Sequence, residues 1–546
     1  MNYAYSPLFP VKPKRRACGS IFFPTKHHRS RQWGPWLFFA ALLFVTYSAG
    51  IINKLSVYYA HYTSQFSYSH RPADNKYDRP PTYTELREWE MKLPQHSLDL
   101  PFPEGKTGRY VLFSNSRAHP VGWNNKLNDM LMNTWLAHAS NRGYVFHDFF
   151  WTKSHYPWPA SSYPHDWIPR TPLNALISGP SAGGPWEDGD TAPRAISEAW
   201  FDVVCPKYER KIIHTREIKP QLSSADGEVI FMTWKKLLSD TPERCVEVVA
   251  GTSEEEPFPE TFDVWFWSTD RSVSLWDEFK VSPVSRLLRT SPVVQDAIDS
   301  NLRLFSTKAS QQVVGQIRGK QSSSSQALID PFDRVLSIHV RRGDFKEACL
   351  EHAAANDTFY NWNLLSFLPD KFYPPPPPLG TTLPPGENTP ENQAVFLDRC
   401  LPSAESIVDK VRKARNDYHF QGGVKSSESV GAVAPLKLNK RPSSLTSSSA
   451  QKGKKGHLDV LFIMSNDHTE WLDDLKRKFM KDGWARIITS RDLRLNAEQK
   501  EVSVAVDMDI GRRSAVFIGN GWSSFTSNVV HRRLVDGKEP ISIRFW

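Results

Sequence analysis

The sequence predicts an α/β protein: two doubly wound, parallel-sheet lobes behind a single N-terminal transmembrane helix. Three observations predict it. Uncharged apolar strands alternate with helix-period segments in both halves of the chain, the pattern of sheets buried on both faces. "WLFFAALLFVTYSAGII", Trp36–Ile52, runs seventeen residues without a charge, the short end of a bilayer span of about 20 residues. A length of 546 residues, with 40% hydrophobic content and 19 tryptophans, is enough for two cores at roughly 100–200 residues each.

The membrane helix comes first because it orients the rest. No acidic residue precedes Asp74, while Lys12, Lys14, Arg15, Arg16, Lys26, Arg29 and Arg31 lie ahead of the apolar run. The net charge of +9 is therefore read as an orientation signal and not as a nucleic-acid footprint. Residues 1–34 form a cytosolic basic tail and 35–53 a signal-anchor, with Trp33, Trp36, Tyr58 and Tyr59 as interfacial anchors. A cleaved signal peptide would need a basic region of over thirty residues, far longer than usual. The expected topology is single-pass type II in the Golgi or endoplasmic reticulum membrane, with the bulk of the chain lumenal. Cys205, Cys245, Cys349 and Cys400 then face an oxidising lumen and can close two disulfides in any of three pairings. Their spacings suggest no zinc site. Asn356-Asp357-Thr358 is a glycosylation sequon.

Residues 54–105, rich in Tyr, Ser and Pro, read as a lumenal stem. The first lobe, 106–305, opens with a strand at Tyr110–Phe113, a helix whose apolar positions include Leu127, Met130, Leu131 and Trp135, and a second strand over Tyr144–Phe149. A linker, 306–330, leads to the second lobe, 331–546. Two low-complexity inserts interrupt it: the polyproline stretch 373–390, and 421–457, too polar to bury anything. Between them Ala394–Tyr418 has helical periodicity. "DVLFIMS", "WARIITS" and "AVFIGN" are strands, with helices at "NDHTEWLDDLKRKFMKDG", capped by Asn466 or Asp467, and from "SSFT" onward.

In such sheets ligands lie beyond the carboxyl ends of the strands, and three strand ends carry unusual residues. "VLSIHVRRGDF" runs a buried strand into Arg341 and Arg342, whose planar forks suit phosphate oxygens; an interlobe ion pair is the alternative. "FIGNGWSSFTSN" places Ser523, Ser524 and Thr526 at a helix start, either an ordinary N-cap or an anion site built of amides and hydroxyls. "GWNNKL" sets Asn124 and Asn125 at the first strand–helix turn, to cap the helix or to bond a sugar or phosphate. Neither a GxGxxG fingerprint nor a P-loop is present.

"HVRRGDF", "VLFIMSND" and "VDMDIGRRSAVFIGNGWSSFTSNVV" resemble the three conserved blocks of the GDP-fucose-dependent protein O-fucosyltransferases and their α1,6-fucosyltransferase relatives, and "GWNN" resembles their asparagine turn. The inserts are similar to those of fungal members. The likeness covers short blocks within roughly 106–170 and 331–546. It implies a GT-B fold, with GDP-fucose held mainly by the second lobe. Carried over by position, it implies that Arg341 binds the β-phosphate and that His339 hydrogen-bonds guanine through its backbone. Asp507, sixteen residues before Ser523, would accept from guanine N1 and N2. Ser523, Ser524, Phe525 and Thr526 would complete a diphosphate cradle, Asp467 would lie near the ribose or base, and Asn125 would approach the fucosyl phosphate.

The resemblance implies an inverting transfer of fucose to a hydroxyl of a protein or glycan acceptor, with no cofactor. Arg341 and the helix terminus would stabilise the departing GDP. Asp507-Met508-Asp509 matches the metal-binding D-x-D of another glycosyltransferase class, but it precedes "IGRRS" in a predicted helix, so no metal is expected. The general base is open. Some members place a glutamate ahead of the asparagine turn, where this chain has Pro120 and Val121. Asp344 is a candidate base, with a structural pair to Arg341 as its alternative. Two other readings stand beside this one: a silent nucleotide-sugar-binding protein on the same fold, and a glycosyltransferase with another nucleotide donor.

Overall fold

The computed structural model describes residues 79–118, 121–252, 255–306, 330–343, 345–375, 389–421 and 457–546. The expected tail, signal-anchor and stem up to residue 78, nearly all of the linker and of both inserts, Pro120 and Asp344 lie outside these residues. Among the described residues no helix is long and apolar enough to cross a membrane.

The first half carries β1 (Tyr110–Phe113), β2 (Gly143–Phe146), β3 (Phe149–Phe150), β4 (Arg170–Thr171), β5 (Ile177–Ser178), β6 (Ile196–Ser197), β7 (Lys211–His214), β8 (Cys245–Val249) and β9 (Arg289–Thr290). The second carries β10 (Val335–Val340), β11 (Val460–Ser465), β12 (Arg486–Thr489), β13 (Val516–Gly519) and β14 (Ile543–Phe545). One parallel sheet has the order β6-β2-β1-β8-β7 and the other β12-β11-β10-β13-β14. The second is the third-second-first-fourth-fifth order of a Rossmann sheet. Both expected lobes are therefore present. In each, the chain reverses direction across the sheet beside its first strand, between β10 and β13 in one and between β1 and β8 in the other.

Alternate side chains explain how β10 is buried on both faces. Leu336, Ile338 and Val340 enter one core cluster, while Val335 joins the larger one. That larger cluster runs continuously from one lobe into the other. Trp362 of the second half lies 5.1 Å from Trp276 and 5.7 Å from Phe279 of the first, centroid to centroid, so aromatic packing joins the lobes.

Four expectations change. Residues 79–105 are not stem: a helix, α1 (Thr84–Met91), begins there, and Tyr83, Leu93 and Gln95 are buried. Their apolar contacts lie far along the chain, which composition does not register. The second strand stops at Phe146, and Phe149 belongs to a separate ribbon with Thr171. The helix expected over Ala394–Tyr418 is two helices, α4 (Pro390–Cys400) and α5 (Ala404–Gln421), because Pro402 between them cannot continue a helix. The amphipathic helix α6 (Glu470–Lys481) is capped by Thr469, not by Asn466 or Asp467. The remaining helices used below are α2 (Trp123–Ala139) and α3 (Phe345–Ala355), with α7 (Ala497–Glu501), α8 (Ser503–Arg513) and α9 (Ser524–Val535). The cysteines pair sequentially, Cys205 with Cys245 and Cys349 with Cys400.

Candidate active site

Parallel pairing of Leu336 with Val516 and Ile338 with Ile518 brings the carboxyl ends of β10 and β13 side by side. Strands in such a ladder lie about 4.8 Å apart. Arg341, just past β10, therefore emerges beside the Asn520–Ser523 turn that follows β13.

The two arginines divide their work. Arg342 is held by the structure: its N–H donates to Asn466 Oδ1 at 2.8 Å, and its carbonyl accepts from Asn466 Nδ2 at 2.8 Å. Its guanidinium lies 3.8 Å from the Trp471 ring centroid and donates to the Leu401 carbonyl. This corrects the expectation that both forks face a ligand, because stacking and a backbone acceptor fix Arg342 in place. Arg341 sits with its Cζ 5.7 Å from the Phe345 centroid. Its charge also reaches His339. Burial, helped by Arg341, lowers the His339 imidazole to about 3, so the ring is neutral. That ring packs 4.4 Å from the Phe525 centroid, and Nδ1 lies 3.3 Å from Thr526 Oγ1. The His339 carbonyl accepts from Trp546 Nε1 at 3.0 Å.

The α9 terminus is built tightly. Asn520 Oδ1 accepts from the Trp522 N–H at 3.0 Å, and its Nδ2 donates to the Cys400 carbonyl at 2.6 Å. A Cβ at Gly521 would meet Phe359 Cε1 at 2.2 Å, so the turn admits only glycine. Ser523 occupies the N-cap position, yet its side chain makes no cap hydrogen bond. The ordinary-cap reading of this serine is thereby lost. Its hydroxyl and the first-turn amides of Ser524, Phe525 and Thr526, which a helix leaves without intrahelical acceptors, crown the same end of the sheet as Arg341.

Three carboxylates lie in the segments that carry the resemblance. Asp507 lies in α8 with Oδ2 accepting from Ser490 at 2.7 Å, while its buried Oδ1 has no partner. Burial lifts its carboxyl to about 7. Asp509 has other partners, accepting from Thr290 at 2.7 Å and pairing with Arg512 and Arg513. The two acids of the D-x-D thus face different neighbours, as residues two apart on a helix must. Asp467 closes an Asx-turn, accepting from the Thr469 N–H and hydroxyl at 2.7 Å.

On the first lobe, α2 is capped by Gly122, not by Asn124 or Asn125. Both asparagines instead reach across to the second lobe. Asn124 accepts from Asn528 Nδ2 through its carbonyl at 2.9 Å and its side chain at 3.2 Å, and Asn125 accepts from the Tyr360 hydroxyl at 3.0 Å. One helical turn of α9 separates Asn528 from Ser524, so this joint ties the α2 start to the helix that begins at the same end of the sheet as Arg341. Below Asn125 lies a buried cluster. Lys126 Nζ donates to Glu260 Oε1 at 2.9 Å, with both side chains under 10% exposed, and Asp129 is buried beside them. Sequence reading missed all three. Polar residues at Asn125, Asp129 and Asn133 repeat every four positions along α2, a stripe that could have flagged two of its turns. Nothing local flags Glu260.

No protein-family model matches the chain, and no curated protein is similar to it. Among solved structures it is similar to POFUT1 in complex with GDP-fucose, at a TM-score of 0.39 and 14% identity over 80% of this chain and 97% of that chain. It is similar to POFUT1 in complex with GDP at 0.39 and 14%, over 80% and 98%. A second crystal form with GDP-fucose gives 0.37 and 14%, over 78% and 94%. Likeness at this level assigns no role to any residue.

Proposed function

We propose that this chain is an inverting fucosyltransferase that moves fucose from GDP-fucose to a hydroxyl of a protein or glycan acceptor. In this reading it is anchored through residues 35–53 as a type II protein of the Golgi or endoplasmic reticulum, with the catalytic lobes lumenal. The observation that carries the reading is the meeting of Arg341 with the α9 terminus at the switch point of the second sheet. A helix end whose leading serine caps nothing, beside a guanidinium, suits the diphosphate of a nucleotide sugar. The motif resemblance supports guanine and fucose in particular. Asp507, assigned to guanine by the same resemblance, fits that role, since its carboxylate has an oxygen without a partner and guanine presents N1–H and N2–H, a pair of donors that adenine lacks.

The chemistry follows from charge. Breaking the bond between fucose C1 and the β-phosphate oxygen leaves additional negative charge on GDP and an oxocarbenium-like sugar. Arg341 and the Ser524–Thr526 amides bind that charge most strongly in the transition state, which is the condition for catalysis. The acceptor hydroxyl attacks from the opposite face. In this scheme protein cations and amides neutralise the leaving group, and no metal is assigned a step.

Thermal-shift titration of the protein with GDP, UDP and ADP, with and without EDTA, followed by a GDP-fucose turnover assay, tests the reading. Stabilisation selective for GDP, insensitive to EDTA and accompanied by turnover, is expected. Preference for UDP would transfer the site to another donor, and GDP binding without turnover would make the protein a silent binder.

A further inference from the structure

The first sheet has a switch point of its own, between β1 and β8. The chain leaving those two strands encloses a small recess with room for about one water-sized group. Lys126 and Asp129 line it from α2, which starts just past β1, and Glu260, Phe262 and Trp267 line it from the segment beyond β8. Asn125 stands in the same lining and holds Tyr360 of the second lobe. The recess therefore lies in the first lobe, below the residue that joins the two.

Its polar groups are unequally engaged. Lys126 Nζ binds Glu260 Oε1 and donates to the Ser116 carbonyl. Asp129 Oδ1 accepts from Asn133 Nδ2 at 3.1 Å. Asp129 Oδ2 has no hydrogen-bond partner, although the residue is 1% exposed. Buried carboxylate oxygens are rarely left so, and each exception asks for a reason. The open oxygen of Asp129 can receive a proton, while Glu260 is held by Lys126.

Resting on the fucosyl-transfer reading, we propose that this recess receives the acceptor hydroxyl and that Asp129 is the general base. The acceptor O–H gives its proton to Asp129 Oδ2. The oxygen's electron pair forms the bond to fucose C1, and the bond from C1 to the β-phosphate oxygen breaks with its pair passing to GDP. The neutral Asp129 then returns the proton to water. Burial places Asp129 at about 7, opposed by Lys126 and Lys219 and reinforced by Glu260, and Tyr144 is the other titratable group that senses its charge. A base with a pKa near the working pH combines a usable ionised fraction with real proton affinity. The assignment also supplies what the chain lacks at Pro120 and Val121, where no acidic residue stands.

The test uses water as the acceptor. GDP-fucose hydrolysis is measured across about pH 5.5 to 8.5 for the wild type, Asp129→Asn and Glu260→Gln, with calorimetric GDP binding in parallel. The wild-type rate should rise with pH through a limb near 7. D129N should lose about 10²–10⁴-fold in rate, and the limb with it, while binding GDP as the wild type does. E260Q removes a neighbouring negative charge, so its limb should move to lower pH. Should D129N fail to fold, the E260Q shift decides the matter. D129N hydrolysis within about threefold of wild type, or an unmoved E260Q limb, overturns the base while leaving the donor site standing. A wild type that does not bind GDP overturns the donor reading and this proposal with it.

Discussion

His339 Nδ1 and Thr526 Oγ1 lie 3.3 Å apart, joining the end of β10 to the first turn of α9. Arg341 is two residues beyond that histidine, so the contact fixes how closely the guanidinium and the helix terminus approach. His339 is neutral because burial and the Arg341 charge both disfavour the imidazolium. The positive charge beside this contact is thus that of Arg341.

Replacing Arg341 by alanine should abolish stabilisation by GDP and slow GDP-fucose turnover by about 10²–10³-fold, the usual cost of one transition-state donor. Arg341→Lys should recover only part of the loss, since an ammonium cannot bind two phosphate oxygens as a planar fork does. Nucleotide titrations by thermal shift and a turnover assay check both.

Asp507→Asn should reduce discrimination between GDP and ADP by about 1–3 kcal/mol, the typical worth of a paired base contact. Burial holds the carboxyl at about 7 in the empty site, whereas guanine's two N–H donors favour the carboxylate. GDP affinity should therefore strengthen as pH rises through 7 in the wild type and lose that dependence in D507N. Calorimetry at several pH values measures this.

Glu501 of α7 accepts from Thr171 at 2.5 Å, Tyr156 at 2.9 Å and Trp158 at 3.1 Å, all in the first lobe. Burial raises its carboxyl from 4.5 to about 7, against these hydrogen bonds. A raised acid favours folding while protonated, so its contribution is complete below 4.5 and is lost as pH climbs through 7. Asp129 and Asp507 act in the same direction. The melting temperature should fall across this window, and Glu501→Gln should make the fall shallower. Melting curves against pH test it.

The Cys349–Cys400 disulfide closes a sequence separation of 51, for which chain entropy gives a stabilisation of roughly 4 kcal/mol. The Cys400 carbonyl also holds Asn520 in the turn ahead of Ser523. The double replacement of both cysteines by serine should lower the melting temperature and weaken GDP binding more than removal of Cys205–Cys245 does. Paired melting and binding measurements on the two double variants compare them.

Much of this arrangement was legible beforehand. Unbroken apolar strands at Val335–Val340 and Val516–Gly519 announced a buried parallel sheet. Both disulfides were possible pairings, but only geometry chose between three. What stayed hidden depends on distant partners. Arg342 looks like Arg341 until Trp471 and Asn466 are brought to it. Asn124 and Asn125 read as caps or as sugar or phosphate ligands because their partners, Asn528 and Tyr360, lie in the other lobe. Glu260 becomes meaningful only when β8 is laid beside β1 and Lys126 reaches it.

A crystal structure of the protein soaked with GDP tests the central claim most directly. The account predicts the β-phosphate within hydrogen-bond distance of both the Arg341 guanidinium and the amides of Ser524–Thr526, with guanine against Asp507. Nucleotide bound elsewhere, or a diphosphate that leaves Arg341 untouched, would contradict it.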